Sequence, residues 1–163
     1  MDKTGYVVSA QLQSDSHYVT YHATQESDGA AVTLKLLKNP YPSVQALSRF
    51  KKEFEILNKA AHRNIIGVLR MEPYQNSLAM VMEDVDGTFL SDIEKKEPVD
   101  LGTFFSIAIP LTDAVQFLHH QQIVHKNINP ANILIEKTTK QPKLVGFSIA
   151  DELSREELQP NTR

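Results

Sequence analysis

The hydrophobic period of the chain changes at NPYP, residues 39–42, and this switch constrains the fold more than any other feature. Before it, YVVSAQL (6–12), HYVTYHAT (17–24) and AAVTLKLL (30–37) are short runs rich in Val, Tyr, Thr and Leu, separated by polar breaks. Runs of that kind read as β-strands. The break ESDG (26–29) has turn chemistry and predicts a hairpin between the second and third strands. After NPYP, Val44, Leu47, Phe50, Phe54, Leu57 and Ala61 recur at steps of three and four. That spacing puts one apolar stripe on a helix, with Ser43 placed to cap its N-terminus.

At 100° per residue, Glu55 falls on the far side of this helix, in water, whereas Glu53 falls about 60° from Phe50 and about 40° from Leu57. A carboxylate on the edge of an apolar stripe faces other protein and needs a cation. Two more strands follow, IIGVLRMEPY (65–74) and SLAMVMED (77–84), joined at Gln75-Asn76. Five strands and one inserted helix make a small α+β unit over residues 6–84. VDGT (85–88) breaks the pattern as a hinge. Beyond it, Phe104, Ile107, Ala108, Leu111, Ala114, Val115 and Leu118 mark one face of a long helix. Phe104 and Phe105 read as core at its start, and Pro110 removes a hydrogen bond and bends its axis. VHKNINPANILI (124–135), a hairpin around residues 138–141 and a polar tail at 156–163 complete the chain.

Bulk composition narrows the function classes. The 163 residues suffice for one ordinary domain, or one small lobe and part of a second. A net charge of −3 offers no basic field for nucleic acid or anionic lipid, and zero cysteines exclude disulfides and cysteine zinc sites. No apolar run approaches the roughly 20 residues of a membrane span, and the N-terminus lacks the layout of a secretion signal. A cytoplasmic protein with no nucleic-acid or membrane partner is expected. His119, His120 and His125 fit no standard zinc spacing.

The element order and several short motifs resemble a protein kinase, from its N-terminal lobe to just past the metal-binding strand, across residues 6–155. The resemblance implies a kinase-like fold with a complete N-lobe, made of a five-stranded antiparallel sheet plus helix C. A hinge at 85–88 and the first part of a mainly helical C-lobe at 89–155 would follow. VTLK resembles the third-strand lysine motif, which makes Lys35 the phosphate-holding lysine and Glu53 its helix-C partner. AHRNIIGVL (61–69) resembles the turn into the fourth strand, and LAMVMEDV (78–85) the fifth strand and hinge. Met82 would then be the gatekeeper, with the Glu83 and Val85 backbones facing adenine. VHKNINPANILI resembles the catalytic loop, and GFS (146–148) stands where Asp-Phe-Gly is expected. KNPYPSVQALSRFKKEFEIL, YQNSLAMVMED, HKNINPANILI and LSRE are most similar to the kinase-like domain that opens very large bacterial multi-domain sensor proteins.

The departures from the family pattern bear on mechanism. Asn127 stands at the position of the catalytic aspartate, and an amide has no useful basicity near neutral pH. Asn129 stands at that of the catalytic-loop lysine. Asn132 matches the second-metal asparagine, but Gly146 replaces the metal-gripping aspartate, and Mg²⁺ requires hard oxygen ligands. Asp151 is the nearest carboxylate that could substitute. Gln13, Asp15 and Tyr18 occupy the three glycine positions of the nucleotide-covering loop, which hinders backbone approach to phosphates. Single losses in such sites cost ~10²- to 10³-fold. ATP is therefore the candidate cofactor, and Mg²⁺ is disfavoured. The expected function is a catalytically impaired, pseudokinase-type regulatory or interaction module in signal transduction. An ATP sensor without turnover and a weakly active Ser/Thr protein kinase are the alternatives. The expected partner is another protein or the downstream domains of a longer chain. The C-lobe helices expected to cover Phe104 to Leu118 do not follow in this sequence, so exposed apolar surface is expected there.

Overall fold

A computed structural model describes residues 5–96 and 98–153; the polar tail and the Ser-Arg-Glu end of LSRE lie outside the described residues. The chain divides into two compact units, Met1–Phe54 with Gly67–Val85, and Glu55–Ile66 with Asp86–Arg163.

The first unit holds five strands: β1 (Tyr6–Ser14), β2 (Tyr18–Gln25), β3 (Ala31–Leu37), β4 (Val68–Tyr74) and β5 (Ser77–Glu83). They form one sheet in the order β1-β2-β3-β5-β4, every neighbouring pair antiparallel. The predicted hairpin joins β2 to β3 and sets His22 opposite Thr33 and Thr20 opposite Lys35. Tyr6, Ala23, Val32, Leu34 and Val81 pack as a buried cluster. Side chains alternate along a strand, so Thr33 and Lys35 point to the other face, from which Lys35 reaches helix α1 (Val44–Lys59).

The Ser43 hydroxyl accepts from the Ala46 N–H at 3.2 Å, the expected N-cap. The buried face of α1 differs from the expected stripe. Val44 is 85% exposed and Ala61 is exposed, while Phe50, Glu53, Ile56, Leu57 and Ala60 are buried. Glu53 thus lies at the centre of the buried face rather than on its edge. Lys35 neutralises the carboxylate, so a charge occupies a position that patterning assigns to an apolar side chain.

In the second unit, β6 (Gly87–Phe89), β8 (Ile133–Glu136) and β9 (Pro142–Leu144) form an antiparallel sheet. A smaller pair joins β7 (Ile123–Val124) and β10 (Asp151–Glu152). Two helices, α2 (Leu90–Glu94) and α3 (Leu101–His120), complete the regular elements, with short 3₁₀ turns at Pro130–Asn132 and Phe147–Ile149. Gly87 and Thr88, expected as part of the connecting break, are therefore in a strand. Ile65 and Ile66, expected to open the fourth strand, instead meet β9: Ile65 bridges Leu144, and the Ile66 N–H donates to the Leu144 carbonyl at 3.0 Å. Asn64, almost wholly buried, donates to the Pro142 carbonyl at 2.8 Å and fixes that register.

Helix α3 corrects two expectations. Its Asp100 cap accepts from the Thr103 N–H at 3.0 Å, and the helix runs unbroken through Pro110. Ile107, Ala114 and Leu118 are buried, but Phe104 and Phe105 are 54% and 49% exposed, with their rings edge to face, and so are not core. Leu101 and Ile109 are exposed as well, which is the apolar surface expected on this helix. Secondly, α3 is long and apolar enough by length and composition to cross a membrane. Gly, Thr, Ser, Pro, Asp and Gln interrupt its apolar residues, so no continuous apolar run marks it in the sequence. Its one charged residue, Asp113, meets His62 at 3.3 Å and Arg63 at 3.9 Å within the second unit.

Candidate functional site

The sequence-predicted residues collect in two places, one in each unit. In the first, the Lys35 ammonium donates to both carboxylate oxygens of Glu53, at 2.6 and 2.8 Å. Lys35 is 8% exposed and Glu53 3%. A single unpaired charge at this depth would be costly, and the pair neutralises itself. The ring of Tyr18 covers the ammonium, its centroid 4.4 Å from Nζ, and stacks on Phe50 at 5.8 Å with an interplanar angle of 19°. Burial, and then the Glu53 carboxylate, push the Tyr18 hydroxyl above its ordinary pKa.

The turn carrying Tyr18 is held by Asp15, whose carboxylate accepts from the N–H groups of His17 and Tyr18, both at 2.7 Å. Burial pushes this carboxyl up, but those two N–H groups with Lys35 outweigh it and hold it below the ordinary aspartate value. The Lys38 ammonium donates to the Asp15 carbonyl. Asp15 thus serves its own backbone. On the sheet, Met82 is buried and pairs with Thr33, and Glu83 pairs with Val32. The Glu83 N–H donates to the Gly67 carbonyl at 2.9 Å and its carboxylate accepts from the Gly67 N–H at 2.8 Å. Val85 is buried at the end of this unit.

Sequence reasoning missed a cluster beside these residues. Asp84 accepts from the Thr33 hydroxyl at 3.0 Å and lies 2.5 Å from His22 Nδ1. The β2–β3 hairpin register alone pairs His22 with Thr33. The carboxylate that joins them arrives only because β5 lies beside β3.

In the second unit, the loop from His125 to Asn132 is wired through amides. Asn129 donates from Nδ2 to the Asn127 side-chain oxygen at 2.9 Å, and its own oxygen caps the 3₁₀ turn through the Ala131 N–H at 2.9 Å. Asn132 donates from Nδ2 to the Asn127 carbonyl at 2.9 Å. His125, 2% exposed, bonds the Val145 carbonyl through Nε2 at 2.9 Å, while its Nδ1 accepts the Asn127 N–H at 3.1 Å. That pattern requires the neutral ring with its proton on Nε2. Burial depresses its pKa, and the Val145 bond opposes this only in part. The ring also meets Phe147 edge to face at 4.5 Å. Both ring nitrogens are thus engaged in the loop's own structure.

Gly146 follows with φ +79°, the left-handed region. A Cβ built there would lie 2.5 Å from the Asn132 side chain. The Asn132 carboxamide therefore fills the room that a side chain at 146 would need. Asp151 bonds Lys126 at 2.9 Å. Among the described residues, no group of three His, Cys, Asp or Glu is placed to hold a metal ion.

The protein kinase domain family matches residues 12–162. The chain belongs to that family. A calcium/calmodulin-dependent protein kinase kinase of Caenorhabditis elegans is 32% identical over 119 residues, 72% of this chain and 21% of the relative. Myosin light chain kinase 3 of Rattus norvegicus is 29% identical over 97% of this chain and 21% of its own length. The probable serine/threonine-protein kinase PknB of Lactococcus lactis is 28% identical over 80% of this chain, again 21% of the relative. The chain thus spans about a fifth of the length of these relatives. Within the kinase family, which binds ATP, the five-stranded sheet with α1 corresponds to the N-lobe, and the more helical region after it to the start of the C-lobe.

Proposed function

We propose that this kinase domain has lost phosphoryl transfer and acts as a regulatory or interaction module in signal transduction, within a cytoplasmic sensor assembly. The observation that carries the proposal is the Asn132 carboxamide lying where a side chain at Gly146 would stand. Phosphoryl transfer depends on positioning and on neutralising charge with Mg²⁺ held by a carboxylate. Here the position is occupied by a neutral amide, and the nearby Asp151 is engaged by Lys126. The residues present do not fit a resident Mg²⁺. Asn127, whose amide oxygen already accepts from Asn129, supplies no base for a substrate hydroxyl. The exposed apolar residues of α3 support a protein partner, or further domains of a longer chain, as the element that covers them.

The test is incubation with labelled ATP, with Mg²⁺ and with Mn²⁺, in the presence of generic Ser/Thr protein substrates. No incorporation above the level of the Lys35→Met variant is expected. Transfer that depends on the metal and vanishes in Lys35→Met would overturn the proposal and restore the weakly active kinase. The intact Lys35–Glu53 pair favours a second reading, a domain that binds ATP without turning it over. Saturation at 100-fold above Kd would add ~2.7 kcal/mol, visible as a rise in melting temperature. A flat response across millimolar ATP removes that reading.

A further inference from the structure

We infer that Tyr18 is a built-in gate over Lys35, and that a polyphosphate reaches the ammonium only when the ring withdraws. The inference rests on reading the Lys35–Glu53 pair as the phosphate-binding element. An ammonium has three N–H donors. Glu53 takes two of them, through both carboxylate oxygens, and the Tyr18 ring covers the ammonium 4.4 Å away. A cation over an aromatic face, shielded from water, is held by the ring quadrupole. The ring in turn is seated on Phe50, which is fully buried, so it rests on a fixed surface. Its backbone is latched at the turn by Asp15, which accepts from the Tyr18 N–H at 2.7 Å and donates from its own N–H to the Tyr18 carbonyl at 3.1 Å. An anion approaching Lys35 must displace the ring, or settle for a lysine already satisfied by a carboxylate. The aromatic face does the covering.

The experiment compares wild type, Tyr18→Phe and Tyr18→Ala. The first readout is the rate at which a small N-hydroxysuccinimide ester acylates Lys35, followed by peptide mass spectrometry with the exposed Lys51 as internal reference. Wild type and Tyr18→Phe should react alike, and Tyr18→Ala roughly ten- to thirty-fold faster, the scale of a shielded cation–π contact. The second readout is binding of inorganic tripolyphosphate and of ATP by calorimetry, expected to be tighter in Tyr18→Ala by a similar factor. Equal acylation in all three proteins overturns the gate. Faster acylation in Tyr18→Ala without tripolyphosphate or ATP binding leaves the gate standing and removes the phosphate-binding reading beneath it. A folded Tyr18→Phe that reacts like Tyr18→Ala also overturns the inference, because it would assign the shielding to the hydroxyl.

Discussion

At Lys35 an ammonium and a carboxylate are buried against each other, whereas the loop from His125 to Asn132 carries neutral amides at the two positions where an aspartate and a lysine were expected from the sequence. Both places keep polar groups out of water, and both satisfy them. The charged pair does so with two bonds between one donor and one acceptor group, and beyond them Lys35 has the Tyr18 ring. The amide loop distributes its bonds over Asn127, Asn129 and Asn132, with His125 and Val145 adding two more. Losing one of these leaves the rest in place. Charge makes a site strong and brittle; amides make a loop whose bonds are shared among several neighbours.

That contrast can be broken by experiment, most severely at the ion pair. Glu53→Ala leaves Lys35 buried without a counter-charge and should cost about 3–5 kcal/mol, read as a shift in the urea midpoint. The double variant Lys35→Met/Glu53→Leu should recover most of that loss, because two apolar side chains of similar volume need no partner. A double variant as unstable as Glu53→Ala would mean that the helix packing, not the stranded charge, was lost.

Putting charge back into the amide loop should cost less. Gly146→Asp must push the Asn132 carboxamide aside and break its bond to the Asn127 carbonyl, a loss of about 1–3 kcal/mol by thermal or urea unfolding. Aspartate tolerates the left-handed backbone, so the collision rather than φ decides the outcome. Addition of magnesium should not restore the melting temperature; a recovery would mean that a metal grip had been rebuilt.

The His125 ring gives a gentler probe. Its folded pKa lies below the unfolded value near 6.5, so below that value the unfolded chain binds more protons than the folded one. Stability is therefore full above about pH 6.5 and falls as pH drops from there towards the depressed folded pKa, by at most ~1.4 kcal/mol per pH unit. His125→Gln should flatten that slope below about pH 6.5 in urea titrations. Smallest of all, Ser43→Ala should cost about 1 kcal/mol through the lost cap, with no effect on Lys35 acylation.

The strand runs and the helix start were legible because their signals are local. Turn residues at 26–29, the switch of period after Pro42 and the Ser43 cap each act within a few residues. Glu53 was legible as a carboxylate needing a cation, since helix geometry alone turns it towards protein. Its position at the centre of the buried face was not, because pattern reading gives charges to edges. Asn64, whose amide carries the 64–66 segment onto β9, is a polar residue in a turn like many others until a partner 78 positions away is known. Phe104 and Phe105 read as core because apolar spacing marks a face without telling whether anything covers it.

The sequence by itself determined which side chains exist to do chemistry. It placed Asn127 and Gly146 where an aspartate base and a metal-gripping aspartate were expected, and neither residue carries a carboxylate in any fold. Tertiary structure alone decided how the remaining groups are spent. Tyr18 lies over Lys35, Asn132 fills the space beside Gly146, and Asp84 joins His22 and Thr33, because strand order and helix packing bring together residues far apart in the chain. Such pairings follow from the minimum of a packed, water-excluding arrangement, in which most buried polar atoms take a partner that the backbone delivers to them, although Asn64 Oδ1 and Ser77 Oγ are buried without one.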